Sequence, residues 1–154
     1  GERPLLRTDA RPGDAVYISG ILGRATLGYL KPTQSLRLNR HQWRPHLAES
    51  AALSDIMGVH ACMDISDGLL KDAGRMASAS ALAIHLESNR VPCVGEQYTA
   101  MTGGEDYVLL FTAPPEIILP NWAIRIGACH EGEGVYLDDD PTLESGYDHF
   151  SGRG

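Results

Sequence analysis

The chain has 154 residues, 43% of them hydrophobic, and a formal net charge of −7 at pH 7. That length suits one domain burying about 70% of its unfolded surface, enough for a sizeable core without a metal or disulfide staple, and the acidic balance leaves no electrostatic footprint for nucleic acid or an anionic membrane. Three cysteines, Cys62, Cys93 and Cys129, form no short-spaced pair, which argues against a disulfide framework or zinc site, and no apolar run approaches a membrane span.

These features read as a soluble cytoplasmic protein in a reducing compartment, with no signal pattern at its N-terminus. The chain opens on Gly1 rather than methionine and passes almost at once into patterned sequence, as a piece of a longer protein would. Pro12-Gly13-Asp14 turns it into Ala15-Val16-Tyr17-Ile18-Ser19, a β-branched and aromatic run that predicts the first strand. Gly20-Ile21-Leu22-Gly23 follows, and Ala25, Leu27, Gly28 and Leu30 predict a short helix. A glycine turn of this kind can cradle phosphate or serve as a plain tight connection. Residues 31–44 read as an exposed connection. Leu47, Ala51, Ala52, Leu53 and Ile56 then predict an amphipathic helix over 46–57. His46 and His60 have no second ligand at metal spacing and read as surface or satisfied core residues.

The stretch Cys62-Met63-Asp64-Ile65-Ser66-Asp67-Gly68-Leu69-Leu70 organises the chain. Residues 59–65 are short and mostly apolar, while Leu69, Leu70, Ala73, Met76 and Ala77 recur at helical spacing, so strand, turn and helix follow one another. Ser66 or Asp67 is expected to cap the first turn, where unpaired amides attract anions. Asp64 and Asp67 would flank a phosphate bound there, and two hard carboxylates beside an anion call for a cation between them, which suits magnesium. The alternative is a plain helix start with acidic residues favoured by the dipole.

After the helix, residues 81–86 alternate toward another strand, giving a strand-helix-strand unit, and 89–99 read as a loop carrying Pro92 and Gly95. Met101-Thr102-Gly103-Gly104-Glu105-Asp106-Tyr107 leads into Val108-Leu109-Leu110-Phe111-Thr112, a strand stopped by Pro114-Pro115. Backbone can approach a ligand closely at the two glycines, although a solvated loop has the same composition. Residues 122–129 predict a strand, and Glu131-Gly132-Glu133-Gly134 turns it toward Val135-Tyr136-Leu137 as an antiparallel hairpin partner. Asp138-Asp139-Asp140-Pro141 closes that pair. Its spacing lacks the alternate ligands of a calcium loop, so it reads as a solvated turn. Gly146-Tyr147-Asp148-His149-Phe150 places two aromatics in a polar terminus, as in a tail that docks or covers a ligand.

Taken in order, the Ile18-to-Gly23 turn, Asp64-to-Leu69, Thr102-to-Tyr107 and Gly146-to-Phe150 resemble the C-terminal half of thiamine-monophosphate kinase, a member of the aminoimidazole-ribonucleotide-synthetase-like superfamily. The resemblance spans nearly the whole chain. It implies an α+β fold, a three-layer α/β/α arrangement around a mixed sheet that is partly ferredoxin-like, and a single domain over 1–154 that lacks the family's N-terminal metal-binding domain. The implied activity transfers the γ-phosphoryl of ATP to thiamine monophosphate to give the diphosphate.

By the same resemblance Asp64 and Asp67 fall on Mg2+ ligands, Ser66 and Arg7 on ATP contacts, Glu105 on a substrate contact, and Tyr147 on a position where an aromatic ring meets the thiamine moiety. A cationic thiazolium explains the aromatic residue. No catalytic residue beyond these is singled out. The full-length enzyme would be a homodimer, and the fragment alone would be inactive. The sequence departs from the family pattern at Val108, where a second glutamate is usual, at Arg24, where an acidic residue is common, and in a short 92–102 connection. Two other readings use the same turns: a non-catalytic nucleotide- or phosphate-binding module, and another enzyme of the superfamily.

Overall fold

A computed structural model describes residues 5–23, 47–103 and 108–142. The apolar runs become strands and the helical-period segments helices: β1 (Ala15–Ile18), α1 (Leu47–Asp55), β2 (Ala61–Ile65), α2 (Leu69–Ser80), β3 (Ala83–Leu86), α3 (Gln97–Thr102), β4 (Val108–Ala113), β5 (Ile124–His130), β6 (Gly134–Leu137) and β7 (Asp140–Pro141), with a 3-10 turn at Ser88–Arg90. The strands form one sheet in the order β2-β4-β1-β5-β3-β6-β7. Every neighbouring pair is antiparallel except β3 and β6, which run parallel. β1 and β4 are buried along their whole length, as unbroken apolar runs require.

Each face of the sheet buries its own set of side chains. On one face Val16, Ile18, Ile65, Leu110, Ile84 and Leu86 pack with Leu69, Leu70, Ala73, Met76 and Ala77 of α2 and with Ala100 and Met101 of α3. The predicted periodicity of α2 is therefore its core face. On the other, Ala15, Tyr17, Cys62, Leu109, Phe111 and Ala113 pack with Leu53 of α1 and with Val59. Helices on both faces of a mixed sheet give the expected α+β, α/β/α layering. The strand residues of that second cluster all belong to β1, β2 and β4. On the β3–β5–β6 half, rings line up instead: His85 stacks on Tyr136 and meets His130 edge-on, each at 4.6 Å between centroids.

Several expectations are corrected. Of Ala51, Ala52, Leu53 and Ile56, whose burial is described, Leu53 alone is fully buried, and Ala51 is exposed. The predicted loop 89–99 takes in most of the 3-10 turn and the start of α3, whose N-cap is Glu96; its carboxylate accepts from the amides of Tyr98 at 3.0 Å and Thr99 at 2.7 Å. Glutamate is not a favoured N-cap, which conceals the start of this helix in the sequence. Finally, β6 is not the hairpin partner of β5, because both edges of β5 are already taken, by β1 and by β3. The connecting residues instead pass the start of β3, where a Cβ on Gly132 (φ +131°) would lie 3.5 Å from Ala83. β6 then pairs parallel to β3 in the register Ala83↔Gly134, which carries Val135 into the core.

The aspartate turn after β6 has Asp138 and Asp139 at φ 54° and 72°, the left-handed pair that a two-residue hairpin needs. It is more than a solvated turn, since the Asp138 carboxylate accepts from the amide and hydroxyl of Ser88 at 2.9 and 2.6 Å.

Candidate functional site

β1 and β2 run in the same direction with β4 antiparallel between them, in the registers Ile18↔Leu110 and Ile65↔Val108. The segments that follow β1 and β2 and the one that precedes β4 therefore emerge at one end of the sheet. Ser19 ties the first to β4: its amide donates to the Leu109 carbonyl at 3.1 Å and its hydroxyl accepts from the Leu109 amide at 2.9 Å. Leu22 exchanges main-chain hydrogen bonds with Pro92 and Val94, each 2.9 Å.

Gly68 joins the acidic turn to the second glycine-bearing stretch. It has φ +109°, and a Cβ there would stand 2.7 Å from the Thr102 carbonyl oxygen. A residue with a side chain would force these segments apart. The structure thus brings together Ser19–Gly23, Asp64–Gly68 and Thr102–Gly103 at the ends of β1, β2 and β4. Gly103 begins the path to Glu105; Glu105 and Tyr147 themselves lie outside the described residues.

Within the acidic turn Asp64, Ser66 and Asp67 are all exposed. Asp64 is in the edge strand β2, opposite Leu109 of β4. Neither Ser66 nor Asp67 caps α2, contrary to expectation: the N-cap is Gly68, with no side-chain cap hydrogen bond. The turn is held from inside the helix. Asp72, fully buried, accepts from the amides of Ser66 at 2.7 Å and Asp67 at 2.9 Å. Its other oxygen accepts from Arg75 Nη1 at 2.8 Å, and the same nitrogen pairs with the Asp67 carboxylate. Hydrogen bonds to Asp67 and then Asp72 push the Arg75 pKa further up. An anion at this helix start would meet the amides of the first turn rather than those of Ser66 and Asp67.

Arg7 is held through its main chain by the last residue of α2. The Ser80 hydroxyl donates to its carbonyl at 2.9 Å and accepts from the Ala10 amide at 3.2 Å. Ser80 ends α2, whose 12 residues span about 18 Å, so the Arg7 main chain sits at the far end of the helix from Asp67. His60 is a satisfied partner, as expected: its Nδ1 lies 2.8 Å from a carboxylate oxygen of the buried Asp14. That pair sits where β1 and β2 begin, at the opposite end of the sheet from the acidic turn.

A model of the family described as AIR synthase related protein, C-terminal domain, matches residues 11–119. The chain belongs to this family. Among curated relatives, it is 34% identical over 175 residues to the thiamine-monophosphate kinase of Aquifex aeolicus, covering 97% of this chain and 56% of the relative. It is 33% identical over 160 residues to that of Methanopyrus kandleri, covering 92% of this chain and 52% of the relative. The solved complex of AaThiL with AMPPCP and TMP superposes with a TM-score of 0.81 at 33% identity, over 97% of this chain and 55% of the other. The similarity expected from the four motifs is thus present over nearly the whole sequence, and the chain spans about half the length of the curated relatives it matches.

In this AIR synthase related domain the acidic turn offers a hard-oxygen donor set, Asp64 and Asp67. Among the described residues no group of three or more His, Cys, Asp or Glu could hold a metal ion. The set fits magnesium in its usual nucleotide mode, in which one or two protein carboxylates and the substrate phosphates share the ion, and does not fit an all-protein cage. Sequence reasoning missed Asp72 and Arg75. A signal for Asp72 was present, because it falls on the 69-73-76 stripe of α2, where a carboxylate in an apolar row needs internal partners.

Proposed function

We propose that this chain is the C-terminal domain of a thiamine-monophosphate kinase, cytoplasmic and homodimeric at full length, and that the other half of the enzyme supplies an N-terminal domain with the remaining acidic metal ligands. The observation that carries this reading is the convergence of Ser19–Gly23, Asp64–Gly68 and Thr102–Gly103 at one end of the sheet with Asp64, Ser66 and Asp67 exposed. The similarity to relatives named for that activity supports it.

In the reaction an oxygen of the thiamine monophosphate phosphate forms a bond to the γ-phosphorus of ATP as the bond to the β-phosphate oxygen breaks, and ADP leaves. Two anionic reactants must approach in line, so positioning and charge neutralisation dominate and no covalent enzyme intermediate is required. Asp64 and Asp67 would hold Mg2+, which when bound neutralises phosphate charge. Ser66 would contact ATP from the turn that Asp72 fixes. Arg7, whose side chain is exposed, would contact ATP. Glu105 would meet thiamine monophosphate, and Tyr147 its thiazolium.

A coupled assay with ATP, Mg2+ and thiamine monophosphate, run on the full-length protein and on this chain, tests the proposal. Diphosphate formation by the full-length protein and none by the chain is expected. No diphosphate from the full-length protein would favour a non-catalytic nucleotide-binding module or a different activity of the superfamily, and robust turnover by the chain alone would show that the metal ligands are misassigned.

A further inference from the structure

The main chain of the acidic turn is governed by a residue that faces away from solvent. Asp72 is completely buried in α2, and a buried carboxylate persists only when its lone pairs are satisfied. Its donors are the amides of Ser66 and Asp67 and the guanidinium of Arg75. Two of the three belong to residues that carry the proposed nucleotide and metal contacts. The third, Arg75, also grips the Asp67 carboxylate. Asp72 therefore acts on the turn twice: directly, by fixing where the backbone of Ser66 and Asp67 runs, and through Arg75, by setting where the Asp67 side chain points.

We propose that Asp72 is the positioning residue of the acidic turn, holding Ser66 and Asp67 in one arrangement before any ligand arrives, with Arg75 as the link to the Asp67 carboxylate. The proposal rests on the reading of this turn as the nucleotide and metal site. Preorganisation matters there because a carboxylate that must be reoriented at the moment of binding spends interaction energy on ordering. The first-turn amides of α2 have no side-chain cap, because Asp72 accepts from the two amides that precede the helix rather than from those inside it. Asp72 touches no reacting atom in this scheme and acts only through its three donors.

The test uses the full-length protein and two readouts. The first is hydrogen exchange resolved to single amides in wild type, Asp72→Asn and Arg75→Lys, without ligand. Asp72→Asn keeps the shape and one acceptor but loses the charge that strengthens both bonds, and the amides of Ser66 and Asp67 should exchange at least about tenfold faster while core amides such as those of Leu110 and Ile126 keep their rates. Arg75→Lys should leave the two amides protected. The second readout is the Mg2+ concentration for half-maximal diphosphate formation, which should rise about tenfold or more in Asp72→Asn, with the KM for thiamine monophosphate unchanged. Wild-type exchange at Ser66 and Asp67 in Asp72→Asn would overturn the proposal, as would acceleration shared equally by the core. So would faster exchange with an unshifted Mg2+ requirement. If the wild type makes no diphosphate, it is the kinase reading that fails, and the exchange pattern alone decides whether Asp72 fixes the turn.

Discussion

Gly68→Ala is the most informative single perturbation of this fold, because one added methyl probes the contact that unites two motifs. Gly68 has φ +109° and ψ 149°, a region essentially restricted to glycine, and strain there costs about 1–3 kcal/mol. The new Cβ would also lie 2.7 Å from the oxygen and 2.8 Å from the carbon of the Thr102 carbonyl. Both are backbone atoms that cannot rotate aside, so overpacking adds roughly another 1–3 kcal/mol. Against this, alanine lowers the entropy of the unfolded chain, a gain of about 0.4–1 kcal/mol, too small to change the sign. The net loss of roughly 1–5 kcal/mol corresponds to a melting temperature lower by about 2–20 °C for a chain of this size. Gly13→Ala is the control. Gly13 has φ +96° but nothing within 4 Å of its added Cβ, so it bears strain without collision and should fall less. Thermal unfolding of both variants by circular dichroism decides the matter: a Gly68→Ala melting temperature within about 2 °C of wild type, or equal to that of Gly13→Ala, would show that the turn is not pressed against Thr102.

Other consequences are measurable. Asp64→Asn in the full-length protein should lower turnover on the order of a hundredfold or more, since charge stabilisation at a metal is worth several kcal/mol, yet leave the melting temperature unchanged because Asp64 is exposed; wild-type turnover and Mg2+ dependence would reduce the acidic turn to a helix start. Burial, and then the neighbouring His130, hold the His85 pKa below its ordinary value, so in the window beneath 6.5 the unfolded chain binds more protons than the folded one and stability must fall as pH falls. Denaturant titrations at pH 7 and pH 5 should show a smaller loss in His85→Gln than in wild type, and an equal loss would contradict the assignment. Burial pushes the Cys62 and Cys129 thiols up to about 12, whereas Cys93 is partly exposed. Iodoacetamide at pH 8 should therefore label Cys93 first, and mass spectrometry showing faster labelling of Cys62 or Cys129 would refute the burial argument.

Most strands of this domain were legible because their signals are local. The run 15–18 needs no partner to be read as extended, and the period of Leu69, Leu70, Ala73, Met76 and Ala77 belongs to α2 itself. The errors arose where a tertiary constraint decided the outcome. β5 and β6 are joined by three residues, and local rules make such a connection a hairpin; only the placement of β1 and β3 on the two edges of β5 forbids it, and no residue near the turn announces that placement. α3 was concealed for a different reason, since its start depends on Glu96 accepting from two amides, a task that sequence rules assign to shorter side chains.

The candidate site divides in the same way. Asp64, Ser66 and Asp67 declare themselves because polar groups interrupt an apolar pattern on the solvent side. Asp72 carries the same chemistry but lies within a helix, where its place on the apolar stripe is the one local sign of its burial. Its three donors then turn an expensive buried charge into the anchor of the exposed ones, which is a physical reason for a turn so rich in negative charge to keep a defined shape with no ligand bound. Arg75 completes the balance: its single positive charge faces two carboxylates, so the cluster remains net negative and retains its attraction for a divalent cation that can be shared with an incoming phosphate.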